Sequence, residues 1–420
     1  MSFQQAISGL NATAKNLQVI GNNIANANTF GSKVARAEFS DMYAAALSGS
    51  GSGSIGIGTN LATVAQQFTQ GTIKTTENSM DLAINGGGFF QTSDGTGPVT
   101  FTRNGQFKVD RSGYLVNNAQ QRLMGYAADA QGQIQPGLAV PLQLPTAGVP
   151  PSATSTIAIE LNLDARAAVT LPAAGPQIDF NVSNTYNNAT SLAVYDAKGQ
   201  EVVLAYFFQK VGTDSWNVYA TANGTTIGGV AGAPLPVTTI DFAANGSGPN
   251  SPVGPVVLDI PATVTAAGAA TLAISNVQFD VSSATQYGDR FGVTDLTQNG
   301  YSAGQLTAIA VEANGIIMAR YSNGRSRPAG QIEVASFRNP QGLQPIGDNS
   351  WMRTFASGDP VIGVPGDGNL GVLQSGALEE SNIDLTGELV NMILAQRVYQ
   401  ANAQTIKTED QILQTLVNLR

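Results

Sequence analysis

From Phe3, small and apolar residues fall at Phe3, Ile7, Leu10, Ala14, Leu17, Gly21 and Ile24. The steps alternate four and three, the spacing of a narrow seam along one face of a helix. Ser2 can cap this helix, which the pattern carries to about Ala25 or Ala27. Asn22, Asn23, Asn26 and Asn28 suit its end, because Asn tolerates left-handed backbone and bonds nearby amides. The far end of the chain repeats the pattern at Leu385, Leu389, Met392, Tyr399, Ala403 and Ile406, with Leu413 and Val417 closing it. Polar Gln396 and Asp410 interrupt this second seam, whose helix starts near Asp384 or Thr386. A helix with one narrow apolar seam is marginal alone, so each end needs a partner. On the seams alone, an intramolecular pair and a contact between subunits are equally open.

Between the ends the pattern changes to period two. Strands are predicted at Asn60–Ala65, Asp81–Ile84, Phe89–Thr92, Thr100–Arg103, Phe107–Asp110 and Tyr114–Val116. Asn104-Gly105 and Ser112-Gly113 read as hairpin turns between them. Pro, Ala and Gly from Pro141 to Pro151 mark a boundary. Beyond it, Val202–Phe208 and Trp216–Ala220 are strands, with a turn at Asp196–Gly199, in a body of sandwich or barrel type. Leu306–Val311, Ile316–Tyr321 and Gln331–Phe337 return to the earlier style, with a turn at Asn314-Gly315. The fold expected is mixed α and β. The terminal helices pair as a coiled-coil-like core domain, 1–30 with 377–420. A linker segment covers 31–69. A discontinuous, mainly antiparallel β-domain covers 70–149 and 280–376, and a second β-domain, 150–279, is inserted in it.

Composition narrows the chemistry. Of 420 residues only 12% are charged, 47 are Gly, and there is neither Cys nor His. That removes thiol nucleophiles, disulfides, Cys/His metal sites and Ser–His–Asp triads. A net charge of −9 disfavours nucleic acid, which needs a basic surface. No apolar run is long enough to span a membrane, and the first residues lack a secretory signal pattern. Gly51-Ser52-Gly53-Ser54-Ile55-Gly56 has dinucleotide-loop spacing but lies in a Ser/Gly run with no preceding strand, so it reads as linker. Gly86-Gly87-Gly88 reads as a tight turn rather than an anion cradle. Glu379-Glu380 reads as favourable charge ahead of a helix N-terminus rather than a hydrolytic pair. Arg103, Lys108, Arg111 and Arg122 read as a solvated basic face or a contact with an acidic neighbour. No catalytic, cofactor-binding or metal-binding residue is expected, and no cofactor.

Several stretches resemble a known family. Asn22-Asn23-Ile24-Ala25-Asn26-Ala27-Asn28-Thr29 resembles the N-terminal signature of bacterial flagellar rod and hook proteins. Asp81 to Phe90, Phe101 to Phe107 with Asp110 to Val116, Gly376 to Leu385 and Gln396 to Asn402 resemble further blocks of that family, in the same order. The body from Pro150 to Phe279 resembles nothing specific; its size fits the hook branch better than the shorter distal rod or other axial subunits.

The resemblance implies a structural subunit, not an enzyme. It implies a homopolymer grown through the terminal helices into a curved tube around an export channel. The partners it implies are rod proteins at one end, hook–filament junction proteins at the other, a hook cap during growth and the flagellar type III export apparatus. Neither nucleic acid nor membrane insertion is expected, and the location implied is extracellular, reached without a cleaved signal. The assembly residues expected are Phe3, Ile7, Leu10, Leu17 and Ile24 with Asn22, Asn23 and Asn26, and Leu385, Leu389, Met392, Tyr399, Ile406, Leu413 and Val417. A carbohydrate-active enzyme or a surface adhesin held by terminal helices are the competing readings.

Overall fold

The computed structural model describes residues 2–42, 56–129, 131–145, 147–170, 178–230, 232–265 and 267–418. Two helices bracket a body of many short, mostly antiparallel strands. Helix α1 spans Ser2–Ala25 and helix α2 spans Leu385–Asn418, close to the limits the pattern predicts. The Ser/Gly run with dinucleotide spacing falls almost wholly outside the described residues.

The chain forms two compact units. One comprises residues 1–146, 307–320 and 326–420; the other comprises 147–306 and 321–325. In the first, strands β1 (Ala35–Met42) and β2 (Gly58–Gln66) pair antiparallel where a linker was expected. They form because Thr, Val and Phe there favour extended backbone, and because α1 packs along them.

The central sheet of this unit runs Leu306–Val311, Ile316–Tyr321, Ser326–Ile332, Arg122–Ala127, Phe89–Ser93, Thr100–Thr102, Ser350–Met352, Gln344–Gly347. Leu82, Ile84, Phe90, Phe107, Leu115, Leu123, Ile317, Ile332, Val334 and Leu373 fill one core. Phe89, Phe101, Phe337 and Trp351 fill a second, with rings edge to face, such as Phe101 and Phe337 at 4.7 Å between centroids. Chain segments from opposite ends complete the unit: Ile73–Thr75 pairs with Ala377–Glu379, and Leu82–Asn85 with Val372–Ser375.

Two local readings are corrected. Asn104-Gly105 does not close a hairpin, since Thr100–Thr102 and Lys108–Val109 take different partners. Instead Leu82 N donates to Gly105 O at 3.0 Å, and a Cβ on Gly105 would lie 1.6 Å from Leu82 O. Glycine is required there for close backbone approach, not for a turn. The predicted strand Gln331–Phe337 is broken at Glu333. Before the break Ile332 pairs with Gly125; after it Val334 pairs with Phe90. The hairpins at Ser112-Gly113 and Asn314-Gly315 form as predicted, with Gly113 at φ 84° and Gly315 at φ 82°.

The second unit has two sheets around one core. One sheet orders Val256–Ile260, Ile274–Asp280, Thr156–Asn162, Gly292–Gln298; the other carries Asn188–Tyr195, Glu201–Lys210, Ser215–Ala222, Thr238–Phe242 and Pro249–Ser251. Because Gly292–Gln298 pairs with Thr156–Asn162, this unit runs past the expected limit at residue 279. Alternation drives burial: Val202, Leu204, Tyr206 and Phe208 face inward from one sheet, Ile157, Ile159 and Leu161 from the other. Tyr206 stacks on Phe279 across the two sheets at 4.8 Å.

Glu333, at the strand break, is wholly buried and neither carboxylate oxygen has a hydrogen-bond partner. Burial raises its pKa to about 7 from an ordinary value of 4.5. Below about pH 4.5 the group is neutral in both folded and unfolded chains. Between there and pH 7 the unfolded chain releases a proton the folded chain keeps, so stability falls as pH rises and levels off above 7. The loss totals about 3 kcal/mol. Glu333→Gln keeps the shape and removes the proton, so its denaturant midpoint should hold between pH 5 and pH 8 better than the wild type's. A variant with the same pH slope would show that the drop has another source.

Candidate functional site

The two terminal helices pack side by side in the first unit. An added Cβ on Gly9 would lie 3.0 Å from the Asn402 side chain, and Asn23 Nδ2 donates to Glu388 Oε2 at 3.3 Å. Advancing from 9 to 23 in α1 thus means retreating from 402 to 388 in α2, so the helices run antiparallel. The residues that face inward are not the predicted seam. Ala6, Thr13 and Ile20 are buried on α1, seven apart, and Ala395 on α2. Gly9, Thr13, Asn16, Glu388, Ala395 and Asn402 are among the residues lining a groove of about 660 Å³ between the helices and the β1–β2 hairpin. These six are small or polar, while Val19, Ile20, Leu394 and Val398 line the same groove.

The predicted seam residues lie differently. Phe3 and Ile7 are 40% and 38% exposed, and Leu10, Leu17 and Ile24 are half-buried. On α2, Leu385, Leu389, Tyr399 and Leu413 are exposed, whereas Met392 and Ile406 are half-buried; the side chain of Val417 lies outside the described residues. Phe3, Ile7, Leu385, Leu389, Tyr399 and Leu413 are therefore the seam residues that the helix pair leaves uncovered. A four–three stripe of large residues was the visible signal; the neighbouring stripe Ala6, Thr13 and Ile20, at seven-residue spacing, is the one that is buried.

Of the three amides, Asn23 is buried and holds both backbone groups of Ala35: its Nδ2 donates to Ala35 O at 2.8 Å and its Oδ1 accepts Ala35 N at 3.0 Å. That fixes the entry of β1 to the last turn of α1. Asn26 donates to Asn22 O at 2.9 Å and Asn22 stays exposed, so those two only finish the helix. Asp384 caps α2, its Oδ1 accepting Thr386 N at 3.0 Å. Asn382 accepts Val34 N at 2.8 Å and donates to Gln67 O at 2.9 Å, tying the base of the hairpin to the approach to α2.

Beneath these lies a charge cluster. The Glu379 side chain is fully buried; Lys33 Nζ reaches Oε1 at 2.5 Å, Arg103 Nε reaches Oε2 at 2.8 Å, and Gly71 N donates to Oε1 at 2.9 Å. Two cations meet one anion, and backbone carbonyls absorb the surplus. Thr69 O accepts from Lys33, and Gly86 O and Gly88 O from Arg103. Burial holds the Lys33 and Arg103 pKa values below their ordinary levels, and Glu379 opposes that in both. So Glu379 is not charge at a helix end but the centre of a buried cluster, because it sits on the strand Ala377–Glu379 inside the unit. Arg103 leaves the predicted basic face for the same reason. Arg122 lies over the Tyr114 ring at 4.1 Å. The glycine triplet presents carbonyls to a cation rather than amides to an anion. Among the described residues, no group of three His, Cys, Asp or Glu side chains could share a metal ion.

Glu379→Gln leaves two buried cations without their anion and should cost about 3–5 kcal/mol of unfolding free energy. Glu380→Gln removes an exposed pair with Lys74 at 3.5 Å and should cost under about 1 kcal/mol. Urea unfolding of the two variants side by side checks this; equal losses would show that burial of the cluster carries no special weight.

Comparison with known proteins places this arrangement. Residues 3–33 match the family model of flagella basal body rod proteins, and 83–175 match the flagellar hook protein FlgE/F/G D1 domain. Residues 162–301 match the flagellar basal body protein FlaE D2 domain, and 374–419 the C-terminal region of flagellar basal body rod FlgEFG proteins. The chain is 40% identical over 428 residues to the flagellar hook protein FlgE of Escherichia coli (strain K12), covering all of both chains. It is 41% identical over 425 residues to that of Salmonella typhimurium, again over both full lengths. The solved structure of Helicobacter pylori flagellar hook protein FlgE2 shares the fold, with a TM-score of 0.53 and 15% identity over 73% of this chain and 100% of that one. The middle of the chain, which resembled nothing by eye, is thus matched as well, and the chain belongs to the bacterial flagellar hook protein family.

Proposed function

We propose that this chain polymerises helically through its terminal helices into the flexible, curved tube of the flagellar hook, joining the basal-body rod to the filament and enclosing the export channel. One observation carries the reading: the helix pair leaves its large apolar side chains outside. Leu389, Val390, Ile393 and Tyr399 are exposed along α2 and do not line the groove between the helices. The overhang adds to this. In the register that sets Gly9 against Asn402, the first residue of α1 lies opposite about residue 409, so the last turns of α2, with exposed Ile412 and Leu413, have no α1 beside them. A polar, solvent-facing helix would carry charged side chains there. Neighbouring subunits supply the missing cover, and contacts that repeat without closing produce an open helix of subunits.

The same reading assigns the further partners. Rod proteins meet the proximal end, junction proteins the distal end, and a cap holds the growing tip. The chain leaves the cell through the flagellar type III apparatus without a cleaved signal. An absence of Cys suits passage as an unfolded chain, since no disulfide can lock it beforehand.

Each apolar side chain covered on assembly contributes about 1.5–3 kcal/mol. Leu389→Asp with Ile393→Asp should therefore abolish polymer at concentrations where wild type forms tubes. The circular dichroism of the β body should be retained. Electron microscopy and sedimentation of the purified variant test this. Tubes of ordinary yield and curvature from the variant would overturn the helical assembly surface.

A further inference from the structure

Lys33 and Arg103 also line a pocket of about 270 Å³ in the first unit, although both are almost wholly buried. Their cluster is not neutral: two cations share one carboxylate, which leaves one positive charge over. The carbonyls that accept from Lys33 and Arg103 are dipoles, and they take N–H groups without cancelling that charge. Among the described residues, Glu379 is the one carboxylate that acts on either cation. Glu379 and Thr69 O take two of the three N–H groups of Lys33 Nζ. A surplus charge held out of water is costly, and an anion beside it offsets the cost.

The rest of the lining is of another kind. Phe68, Phe89, Phe337 and Pro340 present apolar surface to the same pocket. Phe89 meets Phe68 at 5.5 Å and Phe337 at 6.0 Å between centroids, both edge to face, so the rings hold one another in place. Gln70, Gly86 and Gly87 are lining residues that stay exposed, which puts the mouth on the surface. Cations in one part of a small cavity and fixed rings in another make up a ligand site, where apolar walls supply contact and a few polar groups set orientation.

We infer that this pocket binds a small organic carboxylate, with its negative charge beside Lys33 and Arg103 and an apolar body against the phenylalanine rings. Charge complementarity selects the anion, since a neutral compound leaves the surplus charge bare. The rings select a body, since an inorganic anion leaves them uncovered. The volume limits that body to about one ring and a short tail. Binding needs no polymer, because every residue named belongs to the first unit of a single chain.

The test is calorimetric titration of the dilute full-length chain with phenylacetate, at neutral pH and fixed ionic strength. A saturable site with a Kd of about 1 mM or tighter is expected. Phenylacetamide has the same ring without the charge, and acetate has the charge without the ring. Each should bind at least about tenfold more weakly. Lys33→Met leaves Arg103 and Glu379 as a neutral pair and should weaken phenylacetate binding by at least about tenfold. Ser336→Trp puts bulk on the half-buried wall of the pocket and leaves the charges alone. It should abolish binding with the circular dichroism of the β body retained, and it carries the test should Lys33→Met fail to fold. An amide bound as tightly as the acid would overturn the anion site. Acetate bound as tightly as phenylacetate would overturn the apolar one. Undiminished affinity in Ser336→Trp, or no saturable binding by the wild type, would overturn the pocket as a ligand site.

Discussion

The cluster of Lys33, Glu379 and Arg103 is the joint on which the first unit depends. It gathers the segment after α1, the strand before α2 and the middle of the central sheet at one carboxylate. A buried ion pair is not strong by default, because desolvation offsets much of the Coulomb gain. Here the geometry is saturated: the carboxylate takes a guanidinium, an ammonium and a backbone amide, and carbonyls complete the cations. A mispaired register would leave one of these charges bare inside the protein. Its physical effect is therefore selectivity: few other arrangements of the same strands avoid a large penalty.

Around that joint the molecule uses directional polar contacts where position matters and apolar ones where area matters. Asn23 and Asn382 each grip backbone from two sides, setting where α1 ends, where β1 begins and how α2 approaches. The β cores are filled by alternating aliphatic and aromatic residues whose identity is less constrained. The helix pair combines both styles. Asn23 and Glu388 join the two helices, and Leu389, Val390 and Ile393 stay exposed on α2.

How much of this could be read from the sequence follows from how local each signal is. Both helices and the hairpins at Ser112-Gly113 and Asn314-Gly315 were legible, because periodicity and turn residues act over a few positions. The break at Glu333 was not, since a strand exchanging one partner for another keeps the same alternation. Gly105 looked like a turn because Asn-Gly usually is one; only the carbonyl of Leu82 explains it. The buried stripe of α1 was not legible. Ala6 and Thr13 weigh little on a hydrophobic scale, yet both are buried. Glu379 looked like helix-end charge, and nothing near it in sequence announces Lys33 or Arg103.

The pairing of Ile73–Thr75 with Ala377–Glu379 has a temporal side. Closing that contact spans some three hundred residues of chain, a loop whose entropy must be met before any reward arrives. A ribosome delivers residue 379 some three hundred residues after residue 73, so the first unit cannot lock until that stretch has been made. The strands of residues 147–306 have their partners within that stretch and can meet earlier. Closure of the first unit thereby waits for the strand Ala377–Glu379, which follows the whole of the second unit in the chain.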